Sequence, residues 1–184
     1  MAALAHPTGT FMPANTNALC EIAAHRNTGG RADFDFIYGR WNVTSHRLTQ
    51  LFSGSDAWDS FEGYAVSNGH LDGLANIDEI RFPTRGLAGM SIRLYDIDAA
   101  AWRIRWVCNG DGILRAPLAG RFETAADGRR IGVFTGDDMD GSRSVKARVR
   151  WIADEVAPRW EQAWSLDNGL SWETNWRMDF TRVR

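Results

Sequence analysis

The chain has 184 residues, of which 44% are hydrophobic, and its 21 basic and 23 acidic side chains give a formal charge of −2. This length suits a single domain with a sizeable core. The near-neutral charge removes the electrostatic basis for tight binding to a phosphate backbone, and no apolar run approaches the ~20 residues of a membrane helix, so we expect neither a nucleic-acid nor a membrane partner.

The N-terminus and the cysteines predict the cellular location. Residues 1–10 contain neither the basic stretch nor the long apolar stretch of a signal peptide. Two cysteines, Cys20 and Cys108, are too few for a disulfide framework. We therefore expect a reduced, cytoplasmic protein.

Residues 1–33 are predicted to be an N-terminal arm. Prolines at 7 and 13 indicate irregular backbone. Residues 17–26 are able to form a short helix, with Asn15 or Thr16 near its N-cap and with Thr28, Gly29 and Gly30 ending it. The apolar stripe of this segment is narrow. A partly ordered arm and a packed helix are both compatible with the pattern.

The rest of the chain, residues 34–184, is predicted to be one all-β domain. Short segments rich in Trp, Val, Ile, Phe and Thr alternate with turn signals about every ten residues, which indicates a sandwich or a barrel. Nine or ten strands are predicted, at about 40–50, 57–67, 74–82, 86–95, 101–108, 113–123, 130–136, 144–153, 159–166 and 171–182. A single run of hairpins favours closure into an antiparallel barrel.

Alternation assigns an inner and an outer face to three of these strands, because successive strand residues point to opposite faces. The predicted inner residues are Trp102, Ile104, Trp106 and Cys108, then Val145, Ala147, Val149 and Trp151, then Trp172, Trp176, Met178 and Phe180. The residues between them are mostly charged, so 20 arginines and a single lysine are expected to decorate mainly the outer surface.

Four segments resemble a known superfamily. The run 34–41 contains Gly39-x-Trp41, the motif that opens the barrel of lipocalins and their calycin relatives, and the runs 74–79, 93–96 and 160–176 resemble a group of small bacterial calycin-like proteins. The resemblance covers about residues 34–182. It implies a calycin or lipocalin-like antiparallel barrel that holds a small apolar ligand; because calycins include carriers, haem binders and a few cofactor-free enzymes, it implies little about the reaction.

One turn has a recognisable sequence, Ser165-x-Asp167-x-Gly169-x-x-Trp172. The Ser and Asp side chains are expected to bond turn backbone, the Gly to take the left-handed conformation and the Trp to pack under the hairpin. The pattern also occurs in sialidase-type propellers. Only one copy is present, so a stable hairpin turn is predicted rather than a propeller.

A pair of carboxylates is the leading candidate for chemistry. If the hairpin of 57–67 and 74–82 centres on His70, Glu62 lies opposite Asp78, and Tyr64 lies opposite Asn76. Directly opposed residues are ~4.5–5.5 Å apart at Cβ. Two carboxylates this close in a desolvated site cannot both ionise cheaply, which suits a general acid/base pair.

Other arrangements of this hairpin stay open. A slip of one residue would bring in Phe61 and Glu79 and turn Glu62 outward. Glu62 and Asp78 are also able to face solvent or to pair with arginines on neighbouring strands. The candidate partners are Arg93, Arg105 and Arg148.

The remaining candidate ligand-binding residues are polar or aromatic. Gln162 and Thr174 lie between tryptophans and would orient a ligand or bond within the core. Six tryptophans would line an apolar pocket or else fill the barrel: Trp41, Trp106, Trp160, Trp164, Trp172 and Trp176. Of these, Trp106, Trp164 and Trp176 are the candidates for the wall of a binding site. Trp41 is predicted to plug one end, stacked by Arg177 or Arg182, as the lipocalin resemblance suggests.

Other chemistries are not favoured. The four histidines lack ligand spacing, so we expect no metal, and the run 137–141 lacks the Glu that closes a calcium loop. His46 is a candidate lone base or haem ligand, but its neighbours suggest a solvated face. Cys108 is expected to be a structural thiol. No cofactor is predicted.

The leading hypothesis is a barrel that performs cofactor-independent acid/base chemistry on an apolar or aromatic molecule, as an isomerase, lyase, hydratase or cyclase. Glu62 and Asp78 would move the proton, while Tyr64, Asn76 and Gln162 orient a substrate oxygen. The alternative is a non-catalytic binder or carrier of a small hydrophobic ligand. A third possibility is a structural homodimer whose outer sheet, with Val107 and Tyr95, forms the interface.

Overall fold

The computed structural model describes residues 30–184, and ten antiparallel strands make up most of them. The strands are β1 (Gly39–Leu48), β2 (Trp58–His70), β3 (Ala75–Phe82), β4 (Leu87–Asp96), β5 (Ala101–Cys108), β6 (Leu118–Thr124), β7 (Arg130–Asp140), β8 (Arg143–Ala153), β9 (Arg159–Ser165) and β10 (Glu173–Arg182). One-turn 3₁₀ helices at Asp35–Ile37, Leu71–Gly73 and Pro83–Arg85 are the helices of this part of the chain.

The strands form a closed barrel. Each strand pairs with the next along the chain, and β1 pairs with β10, from Trp41 opposite Arg182 to Arg47 opposite Trp176. The predicted all-β antiparallel barrel is therefore confirmed, with ten strands. Most of the predicted arm, including the possible helix at 17–26, lies outside the described residues.

The strand order gives the barrel two different ends. Because consecutive strands are antiparallel, the turns after β2, β4, β6 and β8 lie at one end together with the segment that precedes β1. The turns after β1, β3, β5, β7 and β9 lie at the other end. We call these the closed end and the open end.

The closed end is plugged by Trp41, as predicted. Trp41 is fully buried, and its indole nitrogen donates to the Ile37 carbonyl at 2.7 Å. The Arg182 guanidinium lies 4.2 Å from the centre of its ring and donates to the carbonyls of Phe36 and Tyr38. Of the two arginines predicted to stack here, Arg182 does so.

Aromatic packing fills the closed half of the barrel. Phe34 is fully buried and contacts five rings, with Trp102 at 4.9 Å and Phe122 at 5.0 Å between ring centres. Its other partners are Phe36, Phe134 and Trp151. This cluster leaves the open half as the place where space remains.

The predicted faces are correct for β5 and β8. Trp102, Ile104, Val149 and Trp151 are all buried. Tyr95, which was predicted to form part of an outer dimer interface, is instead buried against Trp102, with 5.4 Å between ring centres. That part of the prediction is wrong, because Tyr95 lies on the inner face of β4.

The predicted turn after β9 is confirmed. The Ser165 hydroxyl accepts from the Gly169 nitrogen at 2.8 Å, and Asp167 accepts from the Ser171 nitrogen at 2.8 Å. Gly169 has φ +93° and supplies a carbonyl for the Trp172 indole. These bonds also hold the pKa of Asp167 down, at about 2, chiefly through Ser171.

Candidate functional site

A cavity of about 260 Å³ occupies the open half of the barrel. Side chains from nine of the ten strands, and from the loop after β5, surround it. The lining includes Arg47, Asp78, Ile80, Phe82, Ser91, Arg93, Ile104, Trp106, Arg115, Ala116, Leu118, Asp137, Asp138, Met139, Val149, Trp151, Trp160, Gln162, Trp164, Trp176, Met178 and Phe180. An interior that is mostly apolar with a few polar groups is typical of small-molecule sites.

Inward-facing glycines create room for the rings of this wall. An added Cβ at Gly89 would lie 2.0 Å from two ring carbons of Trp106, and one at Gly63 would lie 2.4 Å from Phe82. Both rings therefore pack directly over a glycine, at a place where a larger residue would leave no room for them.

Two further tryptophans fix the opposite wall. The rings of Trp160 and Trp176 are perpendicular, with 5.6 Å between their centres, a favourable edge-to-face geometry. The Trp176 indole nitrogen donates to the Ser45 hydroxyl at 2.7 Å. Arg47 covers the same ring from the open end, 5.0 Å from its centre.

A buried ion pair forms the floor of the cavity. Nη1 of Arg93 lies 2.5 Å from Oδ1 of Asp78, and only 3% and 12% of the two side chains are exposed. The same nitrogen donates to Asn76, whose amide donates in turn to the Ser67 hydroxyl at 3.2 Å. The pair therefore belongs to a polar network enclosed by the barrel.

Arg93 also rests on the aromatic cluster below it. Its guanidinium carbon lies 5.0 Å from the centre of the Phe34 ring and 5.7 Å from that of Trp151. Attraction between the cation and the ring faces offsets part of the cost of burying the charge. Arg93 thus separates the filled closed half from the open cavity.

Two indole donors of the lining have no partner. The Nε1 atoms of Trp151 and Trp164 are buried, and neither makes a hydrogen bond within residues 30–184. Buried polar groups are normally paired. Two further buried atoms of the lining also make no hydrogen bond among these residues: Asp78 Oδ1, which contacts Arg93 as an ion pair, and Arg93 Nε. All four atoms are candidates for a bond to a bound molecule. Gln162 differs, because its amide nitrogen donates to Asn175 at 3.2 Å.

The mouth of the cavity carries charges of both signs. Asp111 pairs with Arg115, and Asp137 accepts from Lys146 at 2.6 Å. Asp138 is turned inward and half-buried, and burial raises its pKa, although the Met139 nitrogen and Arg115 act in the opposite direction. The mouth therefore has no strong net charge.

Five of the predicted site residues meet at this cavity: Asp78, Trp106, Gln162, Trp164 and Trp176. Asn76 lies beneath it and acts through Arg93. Glu62, Tyr64 and Thr174 lie elsewhere. Glu62 is exposed and accepts from the Thr44 hydroxyl at 3.1 Å, and Tyr64 is 47% exposed.

The predicted pairing of Glu62 with Asp78 is wrong because the hairpin has a different register. Asp78 lies opposite Ser67, and Tyr64 lies opposite Arg81. The turn is a 3₁₀ helix with positive φ at Leu71, Asp72 and Gly73, rather than a turn centred on His70. The shift is an odd number of residues, so it keeps the inner face of β3 and inverts that of β2.

Two alternatives from the sequence analysis, a slipped register and pairing of Asp78 with an arginine, describe this hairpin better than the pairing of Glu62 with Asp78. Phe61 faces inward and is buried while Glu62 faces outward, although Glu79 is exposed. Pairing of Asp78 with an arginine of a neighbouring strand is also observed, and that arginine is Arg93.

A bulge in β10 removes Thr174 from the predicted site. Thr174 pairs with Ala163, whereas Trp176 pairs with Gln162, so one extra residue, Asn175, lies between the two pairs. Thr174 is therefore on the opposite face from Gln162. Asn175, predicted to be outside, is buried.

The sequence interpretation missed three lining residues that shape the site: Arg93, Trp151 and Asp138. Trp151 had been placed on an inner face but not in the pocket. Arg93 shares its alternation with Tyr95 and Ser91, and this was the available signal. From sequence alone, an arginine at an inner position is assigned to the outer face unless the acidic residue that pairs with it is known.

His46 and His70, the histidines of the described residues, do not line the cavity. His46 bonds Ser60 at 2.8 Å and lies 3.8 Å from Asp179 on the outside, and His70 is exposed. In residues 30–184, no group of three or more His, Cys, Asp or Glu is arranged to hold a metal ion. Within the same range no helix is long and apolar enough to cross a membrane.

The comparisons with known proteins add no relative. No protein-family model matches the chain, and no curated protein matches it significantly. The fold and the cavity are therefore the basis for a functional proposal.

Proposed function

We propose that the barrel binds a small, largely apolar molecule in the cavity of its open half. The observation that carries this proposal is the enclosed space itself, about 260 Å³, walled by tryptophans above a single ion pair. An apolar cavity of roughly 150 Å³ is enough for benzene. This space suits a molecule of one or two rings.

The lining residues have distinct parts in binding. The rings of Trp106, Trp160 and Trp176 are partly buried and supply apolar contact area. The floor formed by Asp78 and Arg93 is the polar element that would fix the orientation of the ligand.

We also propose that the protein belongs to the calycin superfamily. Gly39-x-Trp41 opens β1, a short 3₁₀ turn closes the barrel below it, and Arg182 stacks on Trp41. These features support membership of the calycin superfamily, as the sequence resemblance implies. The ten strands differ from the eight of lipocalins, which favours a related but separate branch.

Ligand binding is tested first on freshly purified protein. Native mass spectrometry is expected to show a co-purifying small molecule, or, after dialysis, binding of added naphthalene. Saturation-transfer NMR with naphthalene measures the affinity. The variant Gly89→Ala, which pushes Trp106 into the cavity, should weaken binding, whereas Gly110→Ala should not. Absence of both a co-purifying molecule and naphthalene binding would refute the proposal.

A second candidate function is acid/base catalysis in the same cavity. The observation that favours it is the presence of two carboxylates in different environments, Asp78 paired with Arg93 and Asp138 held near the mouth with a raised pKa. This version replaces the Glu62 of the sequence hypothesis by Asp138.

Proton abstraction is measured with 2-tetralone, an enolisable ketone of suitable size, in deuterated buffer. Catalysis predicts exchange at the carbon next to the carbonyl faster than in buffer alone, and slower exchange in Asp78→Asn and Asp138→Asn. Binding of 2-tetralone without accelerated exchange leaves the carrier function as the better description.

A further inference from the structure

The floor of the cavity requires a hydrogen-bond donor from its ligand. Asp78 lines the cavity, its Oδ1 is fully buried beside Arg93, and part of the side chain stays accessible. A carboxylate in an ion pair accepts hydrogen bonds and donates none. A molecule that reaches the floor therefore satisfies Asp78 only by bringing an O–H or N–H group.

The same floor disfavours a charged ligand. Nη1 of the Arg93 guanidinium contacts both Asp78 and Asn76, whereas the buried Nε has no hydrogen-bond partner among the described residues. A ligand anion would place a second negative charge beside Asp78, and a ligand cation a second positive charge beside Arg93. In a buried site either charge is left uncompensated, so an uncharged donor is favoured.

The floor also contains a hydrogen-bond donor that has no acceptor among the described residues, the indole nitrogen of Trp151. Trp151 is 2% exposed, lines the cavity and lies against the Arg93 guanidinium, yet its indole nitrogen bonds nothing in the described part of the chain. A hydroxyl group donates one hydrogen bond and accepts others. Asp78 and Trp151 both lie against the Arg93 guanidinium, so one ligand hydroxyl beside that group would donate to Asp78 and accept from Trp151. An N–H group of an amide or aniline does this less well.

We propose that the ligand is an uncharged aromatic alcohol of the phenol class, whose hydroxyl donates to Asp78 and accepts from the Trp151 indole while its ring lies between the tryptophans of the wall. This inference rests on the proposed binding function and adds to it the chemical class of the ligand. The perpendicular Trp160 and Trp176 rings present both an edge and a face to a flat molecule.

Four probes of one ring size test the class. Naphthalene carries no polar group, 2-naphthol adds a hydroxyl, 2-methoxynaphthalene keeps the oxygen but loses the donor, and 2-naphthoate carries a negative charge. Affinities are measured by saturation-transfer NMR on the full chain at pH 7, where a phenolic hydroxyl is uncharged. A hydrogen bond to a charged group predicts about tenfold to 100-fold tighter binding of 2-naphthol than of naphthalene or 2-methoxynaphthalene.

Three variants assign the hydroxyl to its partners. Asp78→Asn and Trp151→Phe should each reduce the preference for 2-naphthol while retaining naphthalene binding. Glu62→Gln, the same kind of change on the outer surface, should retain the preference. Asp78→Asn leaves Arg93 without its charge partner, so its folding is checked by circular dichroism. If it does not fold, the probe series and Trp151→Phe decide.

The outcomes separate the two proposals. If naphthalene and 2-naphthol bind equally, the cavity binds ligands but the phenol class is wrong. If 2-naphthoate binds tightest, Arg93 forms an anion site and the inference is overturned. A hydroxyl preference that survives in Asp78→Asn or Trp151→Phe also overturns it. If none of the four probes binds, the proposed function itself fails.

Discussion

The contact between Gly89 and Trp106 allows a sharp test of how the cavity is kept open. A Cβ added at Gly89 would lie 2.0 Å from Cη2 and Cζ2 of the indole, whereas ordinary contacts begin at 3.4 Å. The ring must therefore move by about 1.4 Å, the difference of these two distances. The added Cβ would stand between the ring and the backbone of β4. The Trp106 ring is therefore displaced away from β4, toward the cavity.

The size of the effect follows from two opposing contributions. Overpacking costs roughly 1–3 kcal/mol, whereas replacing a strand glycine by alanine returns about 0.5–1 kcal/mol of backbone entropy. We expect Gly89→Ala to lower the free energy of unfolding by about 1–2 kcal/mol, and the melting temperature by about 2–8 °C. Naphthalene binding should weaken in parallel, because the displaced ring occupies the ligand's space.

Differential scanning calorimetry and NMR titration measure the two effects. Gly110→Ala is the matched control, since its Cβ would meet only the Cys108 sulfur at an ordinary 3.6 Å. Trp106→Phe removes the clashing part of the ring. Adding Gly89→Ala to Trp106→Phe should therefore cost less than adding it to the natural chain. Strictly additive stabilities in this double-mutant cycle would refute the steric account.

Three further predictions concern stability and its pH dependence. Arg182→Lys should destabilise the protein by about 1–3 kcal/mol in urea denaturation, since lysine cannot reproduce the stacking on Trp41 together with two carbonyl bonds. The pKa of Asp167 is lowered from 3.8 to about 2, so its contribution is present above pH 4 and lost as pH falls toward 2; Asp167→Asn should flatten this acid limb, and an unchanged limb would contradict the assignment. Burial raises the pKa of Asp138, so the free energy of unfolding falls as pH rises above 3.8. Asp138→Asn should therefore stabilise the protein at pH 7 but not at pH 3. The control variant Asp137→Asn should show no such dependence on pH.

Much of the barrel is predictable from alternation because each strand has one dry face. In β8, Val145, Ala147, Val149 and Trp151 are buried, and the charged residues between them are not. In this strand every second residue is apolar, and all of these apolar residues point to the same face, which is the buried one. Where the two agree over a whole strand, the sequence suffices to assign it.

The hairpin of β2 and β3 shows why the site was harder to predict. Its register depends on a turn in which Leu71 and Asp72 take positive φ, a conformation that aspartate adopts fairly readily but leucine rarely does. Tertiary contacts hold such a turn, and they leave no trace in composition. Phe61 was the available signal, because burying its ring requires Glu62 to face outward.

The bulge in β10 is a second local event with a consequence for the site. One inserted residue moves Thr174 to the outer face and buries Asn175 beside Gln162. A bulge interrupts the alternation of inner and outer residues, so the alternation itself cannot be used to predict where a bulge occurs. Strand faces inferred from sequence are therefore least secure next to sites, where bulges are frequent.

The buried pair of Arg93 and Asp78 supports the proposal that the open half of the barrel binds a ligand. Removing two charges from water is costly, and a buried ion pair is often no more stabilising than apolar residues of similar volume. The same barrel fills its closed half with fully buried rings such as Phe34 and Trp102. A sequence that needed only stability would continue that packing upward. Instead, Asp78 lies opposite Ser91, which in turn lies opposite Trp106, so the charged pair and the wall of the cavity meet at the same level of the barrel.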